Sequence, residues 1–418
     1  MRRARATAFT VLALLALLIP SAAVPAVRGR IGDPRLLDAL YQILVFEYDS
    51  PGDAPWGWEL AQLMDQEALS TISGLTSVGA VCLGQPAERV LLSRETIAGN
   101  AAIQGAAVVI WGEFYEAGDV VYVHSHLRLL PSAAGIPESA GLRETVTVAE
   151  QEIRAEPPTD QVNFSPVEIP RATLAALHQA YEQSVTLRAE PSPSARPVGE
   201  LSLRRPYGIA EVRGEWMKVY MAEGPPGWVP YRPLESAAGL KSTRAIVLYA
   251  QGALQFYSGA YRAAQRSFED YLAHYGAGQD PMNLALARIF LGTAMLRSGD
   301  PTASAPDSSA EREYAQAGDL LPSSPAPANY LAVASLRRIE ARAPSPADTV
   351  RGAGMEIQAV EQRLLHAVKE TSDPLAARNL SALYRISLSR PLLWGPGPPS
   401  AQQRSAAERQ IGVLRSMR

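Results

Sequence analysis

Val185-Thr186-Leu187-Arg188-Ala189-Glu190-Pro191-Ser192 opens the stretch that sets the organisation of this 418-residue chain. It alternates like a strand and then stops at a Pro-Ser bend. Val198-Gly199-Glu200-Leu201 follows as a second strand, Trp216-Met217-Lys218-Val219 as a later one, and Gly227-Trp228-Val229 as the closing one. Five short strands separated by turn residues at regular spacing are the pattern of a small all-β barrel. Residues 184–235 are therefore expected to form one. Trp216 and Trp228 are large for so small a core, so one is expected to fill it and the other to lie at the surface. A surface Trp near Tyr207, Tyr220 or Tyr231 would make an aromatic groove for extended, proline-containing or glycan-linked peptides. The competing reading makes all these aromatics core, because a small domain needs large side chains to bury enough area.

Downstream, residues 242–390 read as paired helices. Ser242-Thr243 can cap a helix running to Tyr257, Gly259 breaks it, and a second helix runs from Tyr261 to Tyr275. Gly252, Gly259, Tyr261, Ala264 and Phe268 stand at the offsets of a helix–turn–helix repeat of about 34 residues. Gly292, Gly299, Ala310, Tyr314, Ala317 and Pro322 make a second copy, lengthened by a loop-like insertion at Pro301 to Asp307. Ala326 to Arg342, Met355 to Ser372 and Pro374 to Ser389 continue the stack by amphipathic period. Such stacks create extended concave surfaces, so a groove for a protein or peptide partner is expected. The plainer alternative is that the helices only brace the rest. Residues 395–418 read as a Gly-Pro linker and a capping helix.

Upstream, residues 31–153 read as a mixed α/β domain. A short helix is expected at Pro34 to Tyr41, then strands at Ile43 to Phe46 and Ser77 to Leu83. Further helices are expected at Trp58 to Ile72 and Pro86 to Gln104. The clearest hairpin runs from Ala107 to Phe114, turns at Glu116-Ala117-Gly118-Asp119, and returns from Val120 to Leu129. Residues 155–183 are dense in proline, at Glu156-Pro157-Pro158-Thr159-Asp160 and Ser165 to Pro170, and read as a semi-stiff linker ending in a short helix from Arg171.

Arg2, Arg3 and Arg5 precede an apolar run from Phe9 to Ile19, broken at Pro20 and followed by small residues up to Ala26. That is the three-part pattern of a signal peptide over residues 1–26, and it predicts export to the periplasm or envelope. An uncleaved inner-membrane anchor is the alternative. The net charge of −3 offers no basic excess for phosphates, so nucleic acid is not an expected partner. One cysteine, Cys82, allows no internal disulfide and no cysteine-based metal site.

No chemistry-bearing motif emerges, and neither a catalytic residue nor a cofactor is expected. No phosphate-binding Gly loop or nucleophile elbow is present. Glu113, Glu116 and Asp119 read as solvated turn residues. His124 and His126 share one strand face and could reach a metal, but no third ligand of suitable spacing is visible, so no metal is expected.

The 184–235 stretch resembles the bacterial Src-homology-3-like (SH3b) family, on its opening strand and Pro-Ser bend, the Trp216 strand and the closing Gly-Trp-Val. The Ala189-Glu190-Pro191 bend departs from the family pattern. The paired helices resemble tetratricopeptide repeats. Residues Leu37 to Leu130, through Val109-Ile110-Trp111-Gly112 and Gly118-Asp119, resemble the amino-terminal domain of TolB-like envelope proteins. Together these resemblances imply a multidomain envelope protein. It would have an α/β amino-terminal domain, a small SH3-like barrel and an all-α helical-repeat carboxy-terminal domain. Its implied role is a non-enzymatic adaptor that meets a protein partner through the helices and a peptide or peptidoglycan through the barrel. The alternatives are an accessory subunit of a wall hydrolase or envelope sensory system, and, ranked last, an unrecognised hydrolase.

Overall fold

The computed structural model describes residues 41–389, with gaps chiefly at 65–79, 85–105, 231–239, 300–308 and 343–352, and beyond that range only Gly412. The expected signal peptide, most of the helix at Pro34 to Tyr41, the helices at Pro86 to Gln104 and the Pro301 to Asp307 insertion lie outside the described residues, as does the terminal segment apart from Gly412.

The amino-terminal half is built on one sheet. Its strands are β1 (Tyr41–Val45), β2 (Ala80–Gly84), β3 (Ala106–Ala117) and β4 (Val120–Leu129), in the order β2-β1-β3-β4. β1 runs parallel to both β2 and β3, and β3–β4 is the antiparallel hairpin expected from the sequence. Its turn needs Gly118, which sits at φ +64° where a Cβ is strained. Along β4, Val121, Val123, Ser125 and Leu127 are buried, while Tyr122, His124 and His126 are half-buried on the other face. The apolar face packs against a short helical stretch carrying Leu60 and Met64.

Two further strands form a separate hairpin, β5 (Glu144–Val148) and β6 (Gln151–Ala155). Then come β7 (Gln161–Asn163) and β8 (Val167–Pro170), which both pair with β4 and complete the main sheet. The proline-dense segment is thus no linker at this point. Between its prolines stand Val162, Phe164 and Ile169, which are apolar and fill the sheet's core face. The prolines fall at strand ends and in the connections, where a missing N–H breaks no ladder.

A helix, α1 (Arg171–Glu182), leads to five antiparallel strands: β9 (Ser184–Arg188), β10 (Pro197–Ser202), β11 (Tyr207–Arg213), β12 (Trp216–Met221) and β13 (Gly227–Pro230). Their order is β10-β9-β13-β12-β11. Leu187, Leu201, Met217, Val219, Trp228 and Val229 are buried within this small unit.

The carboxy-terminal half is helical: α2 (Leu240–Tyr257), α3 (Tyr261–His274), α4 (Pro281–Arg297), α5 (Ser309–Leu320), α6 (Ala326–Arg342), α7 (Ala353–Thr371) and α8 (Pro374–Ser389). Each packs on the next in chain order, while α2, α4, α6 and α8 also touch one another in series. They form an inner layer, with α3, α5 and α7 outside it. The inner layer lies against the strands: α2 on β3 and β4, α4 on β7, α6 on β5 and β6, and α8 on β6.

The first two helix pairs share one packing device. A Cβ on Gly252 would stand 3.0 Å from the ring of Phe268, and one on Gly292 would stand 2.8 Å from that of Tyr314. Each glycine lets an aromatic of the next helix approach its backbone. Ala264 and Ala310 are fully buried beside them, and Gly259 and Gly299 close the preceding helices at φ +79° and +68°. Among the described residues, no helix is long and apolar enough to cross a membrane.

Candidate functional site

The inner helix layer carries most of the buried polar side chains, and a subset of them reaches the chain's own strands. Asn379 in α8 is fully buried. Its Oδ1 accepts from the Arg154 N–H at 3.0 Å, and its Nδ2 donates to the Arg154 carbonyl at 2.6 Å. The same Nδ2 donates to Asn329 Oδ1 at 2.8 Å, which ties α8 to α6. Asn283 in α4 repeats the grip on β7: its Oδ1 accepts from Asn163 N at 3.1 Å, and its Nδ2 donates to Asn163 O at 2.5 Å. A carboxamide presents one donor and one acceptor side by side and so satisfies both main-chain groups of one residue. This reads backbone and is indifferent to the side chain held.

The chain entering β5 is held by charge. Arg297 Nε donates to Glu144 Oε1 at 2.7 Å, and its Nη2 donates to the Gly141 carbonyl at 2.7 Å. The same guanidinium lies 5.0 Å over the Phe256 ring. Arg337 pairs with the other Glu144 oxygen and donates to the Thr145 carbonyl at 2.7 Å. The Tyr330 hydroxyl donates to Leu142 O at 2.7 Å. Burial works against the Arg297 charge, but the Glu144 carboxylate outweighs it and holds the guanidinium above its ordinary range. The helix face expected from the sequence to meet a partner therefore carries β5, β6 and β7.

The predicted aromatic site divides differently. Trp228 is 5% exposed, with the Arg213 guanidinium 5.2 Å and Lys218 Nζ 6.0 Å from its ring centre. It is buried beneath cations on the face it shares with Lys218, opposite to Met217 and Val229. Trp216 is half-buried. Tyr207 and Tyr220 lie on β11 and β12, but their side chains, and the whole of Tyr231, fall outside the described residues.

On the outer face of the main sheet, the Tyr115 and Tyr122 rings stack at 5.1 Å, and Trp111 lies 5.3 Å from His126. His126 is spoken for on both sides, by Asn163 Oδ1 at 2.9 Å and Glu113 Oε2 at 3.0 Å. The ring of His124 lies 6.0 Å from that of Tyr115. Glu116 accepts from Trp56 Nε1 at 2.5 Å. Among the described residues, no three His, Cys, Asp or Glu side chains converge on a metal-sized site.

Sequence reasoning passed over Asn283, Asn329 and Asn379. Their signal is a lone Asn within the first two turns of each of three inner helices, set among apolar residues. It also missed the 2.7 Å contact of His178 Nδ1 with Glu59, a carboxylate 1% exposed that reads in one dimension as a solvated helix charge.

Comparison of the chain with protein-family models, with curated proteins and with solved structures found no match.

Proposed function

We infer that this chain is a non-enzymatic adaptor of the cell envelope. The observation that carries this is where the buried polar groups of the helix face are spent. Asn283, Asn379, Arg297 and Tyr330 all fasten the chain's own backbone. Side chains committed to main-chain clamps brace a scaffold. They do not leave a set of groups poised for bond-making.

In this reading the TPR-like helices and the α/β sheet form one support, and the SH3-like unit is the part that meets a peptide or wall polymer. Because β5, β6 and β7 cover the inner layer, the protein partner is expected on the outer layer, α3, α5 and α7. The export reading of residues 1–26 places this work in the periplasm or at the envelope.

The test uses the full chain expressed with its amino terminus intact. Localisation to the envelope fraction, sedimentation with purified cell wall, and recovery of a partner by crosslinked pull-down support the reading. Failure of both sedimentation and pull-down removes it. Release of soluble muropeptides from wall would replace it with a hydrolase.

A second reading makes the amino-terminal domain the contact surface of an accessory subunit. Tyr115, 44% exposed on the outer sheet face and stacked on Tyr122, favours it.

A further inference from the structure

Five arginines of α4 and α6 each pair with a carboxylate: Arg288 with Glu313, Arg297 and Arg337 with Glu144, Arg338 with Glu311, and Arg342 with Glu356. Arg363 and His366 in α7 do not. They stand three residues apart, so they share one helix face, and both are exposed. Neither makes a hydrogen bond or ion pair among the described residues, and the same holds for Asp319 near the end of α5.

These three groups surround one cleft of about 500 Å3, between α5, the start of α6 and the second half of α7. That volume lies in the range of ligand pockets, roughly 300–1,000 Å3. The cleft is left open because its floor is made of small residues: Ala315 and Gly318 from α5, Ala328 from α6 and Ala367 from α7. A Cβ on Gly318 would meet nothing nearer than Pro327 at 3.7 Å. Pro322 and Pro327 line the cleft where α5 passes into α6, and their fixed φ leaves little chain entropy to lose on binding.

We propose that this cleft receives an acidic segment of the protein partner, with an apolar side chain on the small-residue floor and a neighbouring carboxylate on Arg363 and His366. That the occupant is a protein rests on the adaptor reading; the chemistry of the cleft rests on its own residues. Charge decides both class and orientation. The Arg363 guanidinium has no carboxylate from its own chain, and it takes one through paired N–H donors. The His366 ring brings a further N–H donor to the same wall. Asp319 stands on the opposite wall and repels an acid there, so the carboxylate goes to α7 and the apolar group lies between the walls. A neutral segment leaves Arg363 without a counter-charge, and a basic one is repelled by it.

The probe is a library of random twelve-residue peptides displayed on phage, panned against the immobilised full chain. Enriched peptides are expected to share an apolar residue with Asp or Glu within four positions. Gly318→Leu fills the floor, and its Cβ has room, so this variant should fold and should lose the enrichment. Arg363→Glu reverses the charge of the α7 wall and should turn the preference from Asp and Glu to Lys and Arg. The most enriched peptide, synthesised and titrated by fluorescence polarisation, should bind Arg363→Gln about fivefold more weakly, as loss of one exposed ion pair implies. Circular dichroism melts check that the variants fold. No enrichment, equal enrichment on Gly318→Leu, or an unchanged acidic preference on Arg363→Glu overturns the proposal. So does self-association of the full chain that Gly318→Leu abolishes, which makes a second copy the occupant. Panning needs no native partner, so it decides the cleft whether or not the pull-down that tests the adaptor reading succeeds.

Discussion

Asn379 holds Arg154 by both sides of its main chain, although 225 positions separate them: the Arg154 N–H donates to Oδ1 at 3.0 Å and its carbonyl accepts from Nδ2 at 2.6 Å. The replacement Asn379→Ala strips both partners at once and also orphans Asn329. Leaving such groups unpaired costs about 1–3 kcal/mol. The urea midpoint should fall accordingly. Hydrogen exchange should rise in β5 and β6 ahead of the helices, because the hairpin is what the clamp retains. Uniform exchange across the chain would show that the clamp does not act locally.

Glu144, 3% exposed, sits between Arg297 and Arg337. Glu144→Gln keeps the shape and removes the charge. Breaking a buried pair from one side costs about 3–5 kcal/mol, because the remaining ion is left uncompensated. Gln retains one acceptor, so the lower end is expected in thermal or urea melts. Arg337→Ala should cost clearly less, since Arg337 is 37% exposed and already shares its charge with water.

Two helical glycines should respond with opposite signs. A Cβ at Gly292 meets the Tyr314 ring at 2.8 Å and the Ala310 carbonyl at 3.1 Å, so Gly292→Ala overpacks the α4–α5 contact and costs about 1–3 kcal/mol. At Gly318 in α5 the nearest atom is Pro327 Cβ at 3.7 Å, an ordinary contact. Gly318→Ala should therefore stabilise by about 0.4–1 kcal/mol through lost chain entropy. Denaturant midpoints on the two variants decide both.

The tryptophans of the five-stranded unit separate fold from function. Trp228→Ala removes a buried ring and should cost about 3 kcal/mol, the low end for a buried Trp because cations cover it, with near-ultraviolet dichroism lost from that unit. Trp216→Ala should leave the unit folded. If the adaptor reading holds, Trp216→Ala weakens wall or partner capture. If capture persists unchanged, Trp216 is no part of the contact.

Alkaline stability should show a sharp edge. Burial raises the pKa of Tyr48, Tyr249, Tyr257, Tyr271, Tyr314 and Tyr330 above the ordinary phenol value of 10. A raised folded-state pKa means the unfolded chain loses its protons first. Stability from these groups is thus complete below about pH 10 and falls as pH climbs beyond it. Phenolate absorbance against pH should rise together with loss of helical dichroism. Tyr249→Phe tests the packing side: its hydroxyl finds no hydrogen-bond partner among the described residues, so removal should leave stability unchanged or higher.

Much of the local structure was legible in one dimension. The β3–β4 hairpin shows in its alternation and its Gly-Asp turn. The helices Ala326–Arg342 and Pro374–Ser389 fall on the bounds read from period and proline. The Gly252–Phe268 and Gly292–Tyr314 contacts follow from small and large residues at repeat offsets. These are short-range features: turn chemistry, periodicity and a side-chain volume matched to a neighbouring helix.

The sequence by itself therefore determined the β3–β4 hairpin, the helices of the second half and the split into a strand-rich half and a helical half, but not the strands β5 to β8, two of which lie in the stretch read as a linker. Only the tertiary structure decided what the inner helix layer faces. An Asn in a helix reads as a mild local defect until a strand's N–H and C=O arrive beside it, and Arg154 arrives at Asn379 from the other half of the chain. In the same way, Pro322 and Pro327 specify a stiff backbone, but only folding turns that stiffness into one wall of a cleft. Period and propensity act over a few residues. The partner of a buried polar group is set by which distant surfaces the hydrophobic core brings together.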